Sequence, residues 1–224
     1  MKNSFSKAKK NAIGIIAVIA WFALVLQLYI MLERAPSIGF SAMNTVINFL
    51  SFFTILSNLL VAISCTAPLL IPSSASGAFF SKIQVQSAIA VYIFIVGLVY
   101  NLVLRNLWAP TGWQLVADNM LHVVVPAIYL LYWIIFTPKK ILHWKNILPW
   151  LLFPAVYLVY SLIRGAVTGW YPYPFINAAE LGYGRVAINS LLVLVAIVIV
   201  SLGMIAFNRL RKKKLITNTE VKRN

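Results

Sequence analysis

Six long apolar runs, separated by short clusters of turn residues, constrain the fold of this chain more than any other feature. The runs lie at about 11–32, 44–71, 82–105, 118–137, 147–169 and 186–208. Each is long enough to cross a bilayer as a helix, which takes about 20 residues. The strands of a transmembrane barrel alternate in polarity over about 10 residues, and these runs do not. The sequence therefore predicts an all-α polytopic membrane protein: one domain over residues 1–224, with a core of six transmembrane helices at 10–208.

The overall composition excludes an ordinary soluble domain. Hydrophobic residues make up 62% of the chain and charged residues only 10%, whereas soluble domains carry about 25% charged residues. The single cysteine, Cys65, excludes an internal disulfide and a cysteine-based zinc site. We expect neither a metal nor a cofactor.

The positive charge is distributed asymmetrically between the loops. If the N-terminus is cytoplasmic, only four of the 19 Lys and Arg residues lie outside, namely Arg34, Arg105, Arg164 and Arg185. This positive-inside pattern predicts both termini in the cytoplasm, a location in the bacterial cytoplasmic membrane, and basic cytoplasmic tails at 1–9 and 209–224 that contact anionic lipid. Nucleic acid is not an expected partner, because no aromatic residues alternate with the basic ones. The oligomeric state stays open.

The second apolar run is the most polar of the six. At helical spacing, one broad face carries Asn44, Asn48, Ser51, Thr54, Asn58 and Cys65. Lipid cannot satisfy such side chains, so they must face another helix or a cavity. The face is either a helix–helix contact made through hydrogen bonds or part of a functional site.

His122 lies in the fourth run, where an ionisable side chain is costly and usually faces a cavity or the interior of a bundle. Histidine is the side chain that most often takes up and releases a proton near neutral pH. Asp118, four residues earlier, lies on the same helix face. Asp118 either caps the helix, orients the His122 ring, or does both. Pro126 is expected to kink the helix and open space beside His122.

Together these residues offer one nucleophile–base pair inside the membrane. A threonine hydroxyl needs an adjacent base to attack an ester, and His122 is the base available to Thr54. Ser51 and Ser57 are rival nucleophiles, and Asn58 is a candidate donor to an oxyanion. The alternative function is a non-catalytic binding protein or transporter for a lipid or small solute.

The segment GWYPYPFINAAELGYGR, before the last run, is predicted to be a loop. Tyr171 and Tyr173 in this segment are candidate substrate contacts, and the segment forms either a lid over the mouth of a cavity or a segment that only packs. Arg105, Arg164 and Arg185 are candidates to hold the carboxylate of an amphiphilic lipid ester. Alternatively, each pairs with a protein carboxylate or a lipid phosphate.

Four stretches carry a resemblance to known proteins: FFTILSNLL, LHVVVPAIYLLYW, LIRGAVTGWYPYPFIN and LGYGRVAIN. They resemble a family of bacterial six-helix, proline-bearing membrane proteins, over about residues 10–208. That family is similar to the eukaryotic androgen-induced and androgen-dependent membrane proteins, which are intramembrane threonine hydrolases. The resemblance implies a nucleophilic role for Thr54 and a catalytic role for His122. It also implies that the substrate is a lipid ester of the class of fatty acid esters of hydroxy fatty acids.

Overall fold

The computed structural model describes residues 5–107 and 109–211, and every regular element in that part of the chain is helical. The α-helices are α1 (Lys7–Arg34), α2 (Ala42–Phe49), α3 (Phe53–Leu70), α4 (Ala75–Phe80), α5 (Ile83–Val99), α6 (Gly112–Asn119), α7 (Val125–Phe136), α8 (Ile147–Trp150), α9 (Leu152–Thr168) and α10 (Ala178–Leu210). A π-helical turn, Tyr100–Leu104, extends α5, and another, Met120–Val124, joins α6 to α7.

Six helical spans in this part of the chain are long and apolar enough to cross a membrane, which confirms the all-α class and the number of spans. They are Lys7–Ile38, Phe53–Leu70, Ile83–Leu104, Gly112–Phe136, Trp144–Thr168 and Ala178–Leu210. Of the predicted basic tails, residues 1–4 and 212–224 lie outside the described residues, whereas Lys7–Lys9 belong to α1.

The helices α3 and α5 form the centre of the bundle. In each of these two spans, 56% of the most apolar 18-residue stretch is buried, against 17% in α10 and 11% in the span that contains α9. α3 packs between α1 and α5, and α5 also packs against α7 and α10. α9 contacts α10, so these two helices form the more open side of the bundle.

The second apolar run is not one helix, as the sequence predicted, but two. α2 ends at Phe49, and Phe52 is extended before α3 begins at Phe53. Two side chains of α9 contact this break: the Tyr157 hydroxyl donates to the Ser51 backbone carbonyl, and the Tyr160 hydroxyl lies 2.8 Å from the side-chain oxygen Ser51 Oγ. The break interrupts the expected continuous polar face, and Asn44 is exposed on α2.

Two other spans begin earlier than predicted. The fourth span starts at Gly112, so Asp118 lies inside α6 and cannot cap its start. The sixth starts at Ala178, with Asn177 accepting a hydrogen bond from the Ala179 amide as N-cap. Much of the segment expected to be a loop is therefore helical. Gly182 (φ 73°) supplies a kink there, whereas Gly184 has an ordinary helical backbone.

The fourth span is irregular beside its proline. Pro126 lacks an amide hydrogen and cannot bond to the carbonyl of His122, four residues earlier. The chain forms its π turn over these residues, Met120–Val124, and such turns frequently occur at functional sites. Gly97 of α5 packs on this carbonyl, and a Cβ added there would lie 3.3 Å from it. A side chain at position 97 would therefore require α5 and the irregular turn to move apart by a few tenths of an ångström.

Candidate active site

The structure brings Thr54 and His122 together at one end of the bundle. Thr54 lies in the first turn of α3, and His122 lies in the π turn between α6 and α7. Thr54 Oγ1 is 3.4 Å from His122 Nε2. This distance is at the long end for a hydrogen bond. Catalytic hydrogen bonds are often this long when no substrate is bound.

The hydrogen bonds of the other ring nitrogen decide what His122 offers to Thr54. His122 Nδ1 lies 2.9 Å from the backbone carbonyl oxygen of Asp118 and 3.3 Å from its carboxylate Oδ1. Both partners are acceptors, so the neutral ring carries its hydrogen on Nδ1 and presents Nε2 as an acceptor. Thr54 can then donate its hydroxyl hydrogen to Nε2.

Two further contacts hold this arrangement. Asp118 is only 3% exposed, and its carboxylate accepts a hydrogen bond from the Tyr100 hydroxyl. The Tyr100 ring stacks on the His122 ring, with centroids 4.2 Å apart. Asp118 therefore contacts His122 and does not cap a helix. Sequence reasoning did not single out Tyr100, which the π turn after α5 brings to this position.

Asn58 holds α3 against the π turn. Its side-chain amide nitrogen donates to the carbonyl of Thr54, at 2.8 Å, and to the carbonyl of Leu121, at 3.1 Å. Both hydrogens of the amide are thus used, which does not fit the expectation that Asn58 donates to an oxyanion. It instead fixes the backbone next to Thr54 and next to His122.

The segment that joins α9 to α10, residues 169–177, crosses the N-terminal end of α3; we refer to it as the strap. The Tyr173 hydroxyl of the strap accepts a hydrogen bond from the Thr54 backbone amide at 3.1 Å and lies 3.2 Å from Thr54 Oγ1. That amide has no hydrogen-bond partner within its own helix, because Thr54 is in the first turn of α3. Tyr173 was expected only as a substrate contact, and its contact with Thr54 was not predicted.

Aromatic contacts anchor the strap at Tyr173 and before it. The Phe52 ring makes edge contacts with Trp170 and Tyr173, and Tyr173 also stacks on Phe175. The Tyr171 ring covers Gly165 of α9 so closely that a Cβ at this glycine would overlap the ring. Both interpretations of this segment, a lid and a segment that only packs, stay open.

A large apolar cavity opens next to Thr54. Its volume is about 800 Å³, and it extends between α5, α9 and α10. The polar side chains in its wall are those of Thr54, Tyr157, Tyr173, Tyr183 and Ser190. The remaining wall is aliphatic and aromatic, which suits a hydrocarbon chain better than a polar solute.

A smaller pocket of about 210 Å³ lies beside His122. Gly97, Asn101 and Pro126 contribute to its wall. Space beside His122 was expected from the position of Pro126, and the pocket provides it.

The other candidate residues lie apart from the Thr54–His122 contact. Ser51 bonds to the carbonyl of Ile47 and to Tyr160, whereas Ser57 is buried and its hydroxyl has no partner among the described residues. Neither serine contacts His122.

The three arginines occupy different environments. Arg105 bonds to nearby Asn101, and Arg185 is exposed. Arg164 lies over the Trp170 ring, 4.2 Å from its centroid, and donates to Asn48. Arg164 therefore links α9, α2 and the strap, and none of the three arginines lines the large cavity.

Comparisons of this chain with protein-family models, with curated proteins and with solved structures found no match.

Proposed function

We propose that this protein is an intramembrane ester hydrolase in which Thr54 is the nucleophile and His122 is the general base. The observation that carries the proposal is the 3.4 Å approach of Thr54 Oγ1 to His122 Nε2 beside a cavity of about 800 Å³. A hydroxyl, an oriented imidazole and a carboxylate behind the imidazole are the groups that nucleophilic ester cleavage requires.

The proposed reaction has two halves. In the first, Thr54 Oγ bonds to the carbonyl carbon of the ester, and the hydroxyl proton passes to His122 Nε2. Collapse of the tetrahedral adduct breaks the bond to the alcohol oxygen, which takes the proton from His122 and leaves an acyl-Thr54. In the second half, water attacks this acyl group, His122 takes a proton from the water, and the proton returns to Thr54 as the acid leaves.

The proposed substrate is a lipid ester with a long acyl chain. The cavity beside Thr54 has an almost wholly apolar wall, which suits a hydrocarbon tail with its carbonyl at Thr54. The small pocket beside His122 is the proposed route for the water of the second half-reaction. Fatty acid esters of hydroxy fatty acids, which the sequence resemblance implies, are one candidate within this class.

The proposed location is the bacterial cytoplasmic membrane, with both termini in the cytoplasm. The support is the charge distribution, because the loops after the first, third and fifth spans carry few basic residues. In this orientation Thr54, His122 and the strap lie in the outer half of the membrane. Substrate would enter sideways from the outer leaflet.

Purified protein in lipid nanodiscs tests the proposal with two substrates, 4-nitrophenyl palmitate and the palmitoyl ester of a hydroxystearic acid. We expect Thr54→Ala and His122→Ala each to lower kcat by at least about 10³-fold, since a nucleophile and its base act as a unit. Ser57→Ala is the matched control, because this buried hydroxyl lies one turn from Thr54 and should leave kcat unchanged. Turnover that persists in both active-site variants would refute the proposal.

The same preparation tests the alternative function, a binding protein without catalysis. In that case wild-type protein would bind the palmitoyl ester without turnover, and Thr54→Ala would bind it equally well. A transporter would instead move the ester between leaflets without cleaving it.

A further inference from the structure

The Tyr173 hydroxyl has an unusual position that nucleophile activation does not require. Its oxygen lies 3.1 Å from the Thr54 amide nitrogen and 3.2 Å from Thr54 Oγ1. A substrate carbonyl carbon bonded to Oγ1 would place its own oxygen close to the same amide. The phenol oxygen thus occupies the region where an oxyanion would form.

The direction of the hydrogen bonds follows from the other partners of Thr54. When the Thr54 hydroxyl donates to His122 Nε2, it cannot also donate to Tyr173. Tyr173 then accepts from the Thr54 amide and donates its own hydrogen to Thr54 Oγ1. Burial raises the pKa of Tyr173 above its usual value, so the phenol keeps this hydrogen at neutral pH.

We propose that Tyr173 is a further catalytic residue: its hydroxyl and the Thr54 amide together stabilise the oxyanion of the tetrahedral adduct. This inference rests on the proposed hydrolase function. Tyr173 takes the role of oxyanion donor that was expected of Asn58, whose amide hydrogens are both used elsewhere. As the substrate carbonyl enters, its oxygen replaces the phenol oxygen at the Thr54 amide. The phenol then gives up its hydrogen bonds to Thr54 and donates its hydrogen to the new oxyanion.

The chemistry of this step needs no further reactant. As the bond from Thr54 Oγ to the carbonyl carbon forms, the π electrons of the carbonyl move to its oxygen. Two hydrogen-bond donors, the Thr54 N–H and the Tyr173 O–H, stabilise the negative charge on this oxygen in a site walled by apolar side chains. Donors of this kind stabilise the transition state more than the bound ester, and therefore raise kcat rather than lower KM.

Tyr173→Phe tests the inference, because it removes the hydroxyl and keeps the ring that packs on Phe52 and Phe175. We expect kcat for 4-nitrophenyl palmitate to fall by about 10²–10³-fold, with little change in KM. Tyr29→Phe is the matched control, because it makes the same change on an exposed tyrosine of α1, and it should retain the wild-type kcat. The ratio of wild-type to variant kcat should stay constant between about pH 7 and pH 9, where Tyr173 remains protonated.

An inhibitor that forms an oxyanion separates catalysis from the shape of the strap. Thr54 Oγ adds to the carbonyl carbon of a long-chain alkyl trifluoromethyl ketone, and the ketone oxygen becomes an alkoxide. Tyr173→Phe should therefore raise the inhibition constant of this ketone by about the same factor as it lowers kcat. A kcat within about threefold of wild type would overturn the role of Tyr173. A lowered kcat with an unchanged inhibition constant would overturn it as well, since the hydroxyl would then only hold the strap.

The outcomes distinguish this inference from the function beneath it. If Thr54→Ala and His122→Ala abolish turnover but Tyr173→Phe does not, the hydrolase stands and the oxyanion role fails. If wild-type protein does not cleave either ester, both proposals fail together.

Discussion

Replacing Asp118 by asparagine tests how His122 is held, because the structure gives the ring nitrogen two different acceptors. His122 Nδ1 is closer to the Asp118 carbonyl oxygen, at 2.9 Å, than to the carboxylate Oδ1, at 3.3 Å. The Asp118→Asn substitution removes the charge and leaves the backbone carbonyl in place. The ring should therefore keep its tautomer and lose only electrostatic support.

The size of that loss follows from the distance. Two opposite unit charges 3.3 Å apart attract each other by about 5 kcal/mol at an effective permittivity of about 20. In the transition state the proton is only partly transferred to His122, so about half of this energy, roughly 2.5 kcal/mol, lowers the barrier. We therefore expect Asp118→Asn to lower kcat by about 10²-fold.

Stopped-flow and steady-state hydrolysis of 4-nitrophenyl palmitate by protein in nanodiscs measure this change. Tyr100→Phe is the control, because it keeps the ring stacked on His122 and the charge on Asp118, and should have a smaller effect. A fall of about 10⁴-fold or more for Asp118→Asn would mean that the carboxylate alone sets the tautomer. A change of less than about threefold would mean that its charge plays no part, and either result would refute the reasoning.

Two further substitutions test the anchoring of the strap. Gly165→Ala places a Cβ inside the Tyr171 ring and should lower both the melting temperature and kcat, since overpacking costs about 1–3 kcal/mol and displaces nearby Tyr173. Gly184→Ala is the control and should lower neither, because no atom lies within 4 Å of the added Cβ. Equal effects at the two positions would contradict the anchoring of the strap on Gly165. Arg164→Gln removes the cation over Trp170 and the bond to Asn48, and should cost about 2 kcal/mol, or about 4–8 °C in Tm measured in detergent. Exposed Arg105→Gln is its control, and a similar loss of Tm there would show that the effect is not specific to the strap.

The architecture could be predicted from the sequence because it depends on local composition. A stretch of about 20 apolar residues specifies a membrane helix whatever its neighbours are. The ends of the helices depend on their neighbours and were predicted less well. No glycine or proline marks the break between α2 and α3, and the tyrosines that satisfy Ser51 lie more than 100 residues away along the chain.

The residues of the candidate site could likewise be predicted only in part. The chemical types of Thr54 and His122, together with the resemblance, identified them as a candidate pair. The part played by Tyr173 could not be predicted, because its hydroxyl reaches Thr54 only after α9 and the strap have folded over α3. Asn58 was expected to donate to an oxyanion for a similar reason. Its amide looked free in the sequence, and the packing of α3 on the π turn uses both hydrogens.

The setting of the site indicates where its selectivity must arise. A hydrocarbon tail that moves from lipid into an apolar cavity leaves one apolar environment for another, so the hydrophobic effect contributes little to binding. An enzyme acting on the same ester from water would gain about 0.8 kcal/mol for each CH₂ group buried. Under the proposed function, recognition therefore depends more on the few polar groups beside the cavity, and these are the groups assigned to the chemistry. Because the second run breaks, α3 begins at Phe53 and the Thr54 amide has no partner within the helix. The break, which was not predicted from the sequence, therefore creates the polar centre of the site.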